Sequence, residues 1–106
     1  MTHLTTHVLD ASTGTPAADV AVELADGAGT VIATGSTDDD GRLALGPDRL
    51  EPGTHTLTFD TGDHFARTGT ATFYPSVTVS FTVSDEPHLH VPLLLSPFGY
   101  STYRGS

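Results

Sequence analysis

The chain has no cysteine, no lysine and no long apolar run. Without cysteine there are no disulfides, no thiolate metal ligands and no cysteine nucleophiles. Without lysine no P-loop can be completed, and no Gly-x-Gly-x-x-Gly segment offers a phosphate cradle instead. Serine and aspartate are plentiful, but no Gly-x-Ser-x-Gly elbow presents a serine as a nucleophile. No apolar stretch approaches the roughly 20 residues that cross a bilayer. The opening "MTHLTTHVLD" also lacks the basic segment and apolar core of a signal peptide, so the expected location is the cytoplasm. Positive charge is scarce: Arg42, Arg49, Arg67 and Arg104 stand against thirteen acids, for a net charge of −9. That balance argues against nucleic acid and anionic membranes as partners. Histidine and arginine are left to carry any chemistry.

The 106 residues suit one domain, residues 1–106, able to bury about two thirds of the surface of its unfolded chain. Alternation with period two dominates, broken by Gly, Asp and Pro clusters. Strands are expected over "THLTTHVLD", "DVAVELAD", "TVIATGS", "RLALG", "THTLTFDT" and "VTVSFTV", then from His88 to Ser96 and over "GYSTYRG". Only "GDHFAR", residues 62–67, has room for a turn or two of helix. Seven or eight short strands at about ten-residue spacing predict an all-β, antiparallel two-sheet sandwich. Pro92 cannot donate to a ladder, so its strand is expected at an edge or beside a bulge.

In "HLHVPLLLSP" the two histidines, His88 and His90, share one strand face, opposite Leu89, Val91, Leu93 and Leu95. In the first strand His3, Thr5 and His7 oppose Leu4, Thr6 and Val8, and Arg42 opposes Leu43 and Leu45. His7, Arg42, His88 and His90 therefore all point away from an apolar side. Parity alone does not show that they meet. A single outward histidine also reads as an ordinary surface residue. A His-x-His pair on a strand, with His7 as a third ligand, reads as a zinc site. His3, His55 and His64 have no motif around them and are expected to be surface or capping residues. The tail "SPFGYSTYRGS" reads from composition as a short edge strand with a loose end.

The segments "LTTHVLDASTGTPAADVAVEL", "TDDDGRL", "DTGDHFARTGTATFYPSVTVSFTV" and "HLHVPLLLSPFGYSTYRGS" occur in the order and form of one family. Across essentially the whole chain the sequence resembles the transthyretin-like 5-hydroxyisourate hydrolases. The tetrapeptide "YRGS" is the feature that separates those hydrolases from transthyretin, the hormone carrier of the same fold. Two positions depart from the family: Ser76 stands where many members have an acid, and Phe98 where tyrosine is common.

The resemblance implies a transthyretin-like sandwich assembled as a homotetramer, with active sites in a channel between dimers. It implies hydrolysis of 5-hydroxyisourate to 2-oxo-4-hydroxy-4-carboxy-5-ureidoimidazoline in urate degradation, with water as co-substrate and neither cofactor nor metal. By motif, His7, Arg42, His90 and Ser106 are the catalytic candidates. His7 and His90 would act as acid and base, and Arg42 would clamp the substrate and stabilise the oxyanion. Tyr103, Arg104 and Gly105 join His7 and Arg42 as substrate-binding candidates, with Arg104 alternatively fixing the tail, and Ser106 offers a hydroxyl and a terminal carboxylate. His88 would support the site or pair with a neighbour. The alternative is a non-enzymatic binding module that holds an aromatic ligand in the same channel.

Overall fold

A computed structural model describes residues 2–106. Where side chains alternate apolar and polar, the chain pairs into sheets and turns the apolar side inward. The strands are β1 (Leu4–Asp10), β2 (Thr15–Pro16), β3 (Ala21–Ala25), β4 (Val31–Ser36), β5 (Arg42–Leu45), β6 (Gly53–Phe59), β7 (Val77–Val83), β8 (Leu89–Ser96) and β9 (Gly99–Thr102). One helix, α1 (Thr61–Arg67), sits between β6 and β7. One sheet runs β4-β3-β6-β7; in the other β1 lies at the centre, with β2 and β5 along one side and β8 then β9 on the other. The architecture is the expected all-β sandwich. One pairing is parallel rather than antiparallel: β1 with β8, from Leu4 opposite Leu89 to Asp10 opposite Leu95.

The core lies between the sheets. Leu4 and Val8 of β1, Val22 and Leu24 of β3, Leu57 and Phe59 of β6 and Leu93 and Leu95 of β8 all fill it. Fully burying one such side chain stabilises the fold by about 1.5–3 kcal/mol. The first turn of α1 is capped by the Asp60 carboxylate, which accepts from the Asp63 N–H, and Phe65 drops into the core.

Of the three histidines expected at the surface or in caps, His3 and His55 are instead buried and His64 is half-buried. His3 accepts from the Leu50 N–H at Nδ1, 2.9 Å away, so Nε2 carries the proton and donates to the Glu86 carbonyl. It ties two distant loops to the start of β1. His55 shares the core face of β6 with Leu57 and Phe59 and stacks on Phe81, with ring centroids 6.0 Å apart. His64 reaches from α1 to Asp10, with Nε2 2.9 Å from Oδ2. Burial alone would raise the Asp10 pKa, but the Ser12 hydroxyl, the His64 ring and the Ser12 N–H outweigh it. Together they hold the carboxyl below its usual range.

Pro92 also departs from expectation, because β8 has neighbours on both sides. Leu89 donates to the His3 carbonyl and Leu95 accepts from Ala11, so odd-numbered residues turn their backbone toward β1. Pro92 turns toward β9, whose pairing stops at Leu93 opposite Thr102. The missing N–H thus falls in a gap in the ladder. The Thr102 hydroxyl closes that gap by donating to the Pro92 carbonyl over 2.7 Å.

Candidate active site

The outer face of the β5-β1-β8 region brings together the histidines and the arginine singled out in the sequence. In "TDDDGR" the Asp38 carboxylate accepts from the Asp40 and Arg42 N–H groups, both at 2.9 Å, and folds the segment into a turn. Gly41 holds φ +74°, and a Cβ there would overlap the Val8 carbonyl oxygen, so only glycine lets this turn lie against β1. The turn has two consequences. It sets Arg42 directly opposite His7 in the β1–β5 register. It also aims the Asp40 carbonyl at His7 Nε2, 2.8 Å away. A carbonyl only accepts, so His7 donates from Nε2, which leaves Nδ1 as the ring nitrogen able to accept.

The parallel register sets His90 opposite Thr5, two residues from His7. The Thr5 hydroxyl lies 2.8 Å from His90 Nδ1 and 3.0 Å from His88 Nε2. The two rings stack 6.5 Å apart at 17°. Burial leads in holding the His90 pKa below its usual value. A Thr5 backbone hydrogen bond pulls the other way, while His88, Arg42 and His7 add to the lowering. The surroundings of His90 therefore favour the neutral form of its imidazole.

The tail is not loose. Gly105 donates its N–H to the His90 carbonyl at 2.9 Å. A Cβ at Gly105 would overlap the His90 ring at Cδ2 and press on Pro92, so the glycine lies flat on the imidazole. Ser106 then joins Thr5, Asp38, Arg42, His88 and His90 in lining an open cleft of about 530 Å³. Tyr103 and Arg104 do not line it. They face a separate cleft of about 340 Å³ with Phe81 and Glu86, and His90 borders both. No group of three or more His, Asp or Glu poised to hold a metal occurs among the described residues.

The structure thus gathers Arg42, His90 and Ser106 around one cleft, with His7 beside Arg42 in the sheet and Gly105 packed on His90. It adds Thr5 and His88 and sets Tyr103 and Arg104 apart. Sequence parity had already put Thr5 on the outward face. Its position between two imidazoles depends on the register of β1 against β8, which a single strand pattern does not contain.

Comparison with known proteins gives the family and the fold. A family model described as "HIUase/Transthyretin family" matches residues 4–105. A 5-hydroxyisourate hydrolase of Caulobacter vibrioides is 47% identical over 116 residues, covering 100% of both chains. The solved 5-hydroxyisourate hydrolase of Klebsiella pneumoniae superposes with a TM-score of 0.90 at 42% identity, covering 97% of this chain and 98% of that one. Sea bream transthyretin, solved with thyroxine, gives a TM-score of 0.89 at 33% identity over 97% and 94% of the two chains. With a matching family model over nearly all its length and such relatives, the chain belongs to the HIUase/Transthyretin family.

Proposed function

We propose that this protein is an enzyme that hydrolyses 5-hydroxyisourate to 2-oxo-4-hydroxy-4-carboxy-5-ureidoimidazoline in urate degradation. The observation that carries the reading is the single cleft where a neutral, partly buried His90, a cationic Arg42 and the packed tail meet. The family relatives that bear this activity in their names support it.

Hydrolysis of a cyclic amide needs an activated water, charge stabilisation and a proton for the leaving nitrogen. His90 and His7 form the acid–base pair of this reading. A neutral imidazole near pH 7 accepts a proton from water as it attacks the ring carbonyl, a contribution of about 10²- to 10⁴-fold in rate. Arg42 keeps its charge throughout and offers a planar fork of donors to the carbonyl oxygen as it becomes an oxyanion. Ser106 supplies a further hydroxyl at the cleft. Gly105 lets the tail close over His90 without a side chain in the way. Arg104 anchors the tail beside Glu86, and Tyr103 reaches substrate only in an assembled channel. No cofactor or metal enters any step.

The cleft is open on one chain, and Phe73, Phe98, Tyr100 and Tyr103 are exposed. Both features support a homotetramer in which neighbouring copies wall the channel, and the reading places the enzyme in the cytoplasm. The second reading, a carrier for an aromatic ligand, is favoured by the equally close superposition on transthyretin. One experiment separates them. 5-Hydroxyisourate is generated in situ by urate oxidation, and its ultraviolet decay is followed with and without this protein. Accelerated decay supports the hydrolase; an unchanged rate alongside binding of an aromatic ligand supports the carrier.

A further inference from the structure

We infer that Thr5 is a positioning residue that links His88 and His90 into one proton relay, so that His88 temporarily stores the proton taken up at His90. The inference rests on the acid–base role given to His90 above.

A threonine hydroxyl has one hydrogen and two lone pairs. With one imidazole nitrogen at 2.8 Å and another at 3.0 Å, it donates to one ring and accepts from the other. The tautomers of two neutral rings are then locked in opposition. When His90 Nδ1 donates to Thr5, the Thr5 hydrogen points to His88 Nε2, and His90 Nε2 holds a lone pair ready for the proton of the attacking water. After that transfer His90 carries both hydrogens and a positive charge. Its Nδ1 hydrogen passes to Thr5 Oγ1 as the Thr5 hydrogen passes to His88 Nε2. His90 is neutral again, with its hydrogen on Nε2, while His88 holds the charge. As the leaving nitrogen departs, the two transfers run backward and make His90 the imidazolium once more; its Nε2 hydrogen then passes to that nitrogen, and the starting tautomers are restored. Overall, one proton moves from water to the leaving nitrogen, and every bond made is balanced by one broken.

The direction of the relay has a physical cause. His90 is half-buried, with Arg42 and His7 facing it from β5 and β1, whereas His88 is exposed to water. Asp38 lies across the same cleft and favours a positive charge at its rim. Charge is less costly on the solvated ring than on the enclosed one. Among the described residues, Thr5 is the only hydroxyl bonded to both rings.

The test compares steady-state kinetics of Thr5→Val, Thr5→Ser, His88→Gln, His90→Gln and the Thr5→Val/His88→Gln double variant, each checked for folding by circular dichroism. Valine keeps the shape of threonine without its hydroxyl; glutamine keeps a hydrogen bond but cannot store a proton. The expected result is a fall in kcat of about tenfold or more for Thr5→Val and His88→Gln with KM nearly unchanged. Serine should restore the rate, and the double variant should be no slower than either single one, as members of one chain behave. Parental kcat in Thr5→Val or His88→Gln, with His90→Gln inactive, overturns the relay and leaves the hydrolase reading intact. So does a double variant whose losses multiply. Parental kcat in His90→Gln overturns the relay together with the acid–base role given to His90.

Discussion

The two sheets carry outer clefts of nearly equal size, about 530 Å³ on the β5-β1-β8 face and about 520 Å³ on the β3-β4-β6 face. The second is lined by Glu23, Thr34, Ser36, Thr58, Asp60 and others, with neither histidine nor arginine among its lining residues. Shape alone therefore does not make a site in this protein. The first cleft differs by its titratable rings, a fixed cation and a tail folded across one of those rings. The other is a solvated sheet face where Thr58 and Thr78 bond to each other.

Exchanging groups in the two clefts should break the comparison most sharply. Arg42→Met and His90→Gln are each expected to lower kcat/KM for 5-hydroxyisourate by about 10²- to 10³-fold. Thr34→Val and Thr58→Val should leave it unchanged. A loss of activity on the threonine side would show that the substrate site has been put on the wrong sheet.

Next in size is the tail. Gly105→Ala forces a methyl group into the His90 ring and should lift the tail from the cleft. Misplacement by about 1 Å can cost on the order of 100-fold in rate. Deleting residues 103–106 should cost at least as much while the sandwich persists by circular dichroism. Full turnover by the truncated chain would reduce the tail to packing.

Smaller effects separate function from structure. His64→Leu removes a partner of the buried Asp10 carboxylate, and neither residue lines the cleft. It should cost about 1–3 kcal/mol of stability in chemical denaturation with kcat retained. Asp10 has a lowered pKa, so its contribution is present above the unfolded-state value near 3.9 and is lost as pH falls through the folded value. The parent protein should therefore lose stability on acidification more steeply than His64→Leu.

The acid limb of activity has the same sense. His90 is held below its ordinary value of about 6.5, so the neutral base survives to lower pH. The acid limb of kcat/KM should lie below that value, and a limb above it would point to a different base. At the small end, Thr58→Val should change stability by no more than about 0.5 kcal/mol.

Much of this was legible in the sequence, and the exceptions have a common cause. Period two located the strands, and parity turned His7, Arg42, His88 and His90 outward. What parity does not encode is pairing between strands far apart in the chain. Thr5 reaches His90 across 85 residues, and His3 meets Leu50 across 47 and Glu86 across 83. His55 is different, because its alternation with Leu57 and Phe59 already marked it as a core position. The polar character of histidine obscured that signal. Tyr103 and Arg104 follow the same motif as Gly105 and Ser106, yet they border another cleft because the chain crosses His90 at the glycine.

The parallel pairing of β1 with β8 also has a kinetic consequence. Hairpins such as β3–β4 close over a few residues, but the β1–β8 pairing must wait for a strand about 85 residues away. Closing so long a loop costs entropy before any contact repays it, and topologies rich in such closures fold slowly. On the ribosome, β1 emerges long before β8 exists, so an early chain can pair β1 with β5 and β3 with β4 and β6 yet offer Thr5 neither His88 nor His90. The proposed relay thus belongs to the completed chain rather than to any nascent piece. During synthesis, the partly made protein carries strands but not the contacts of Thr5 with the two imidazoles.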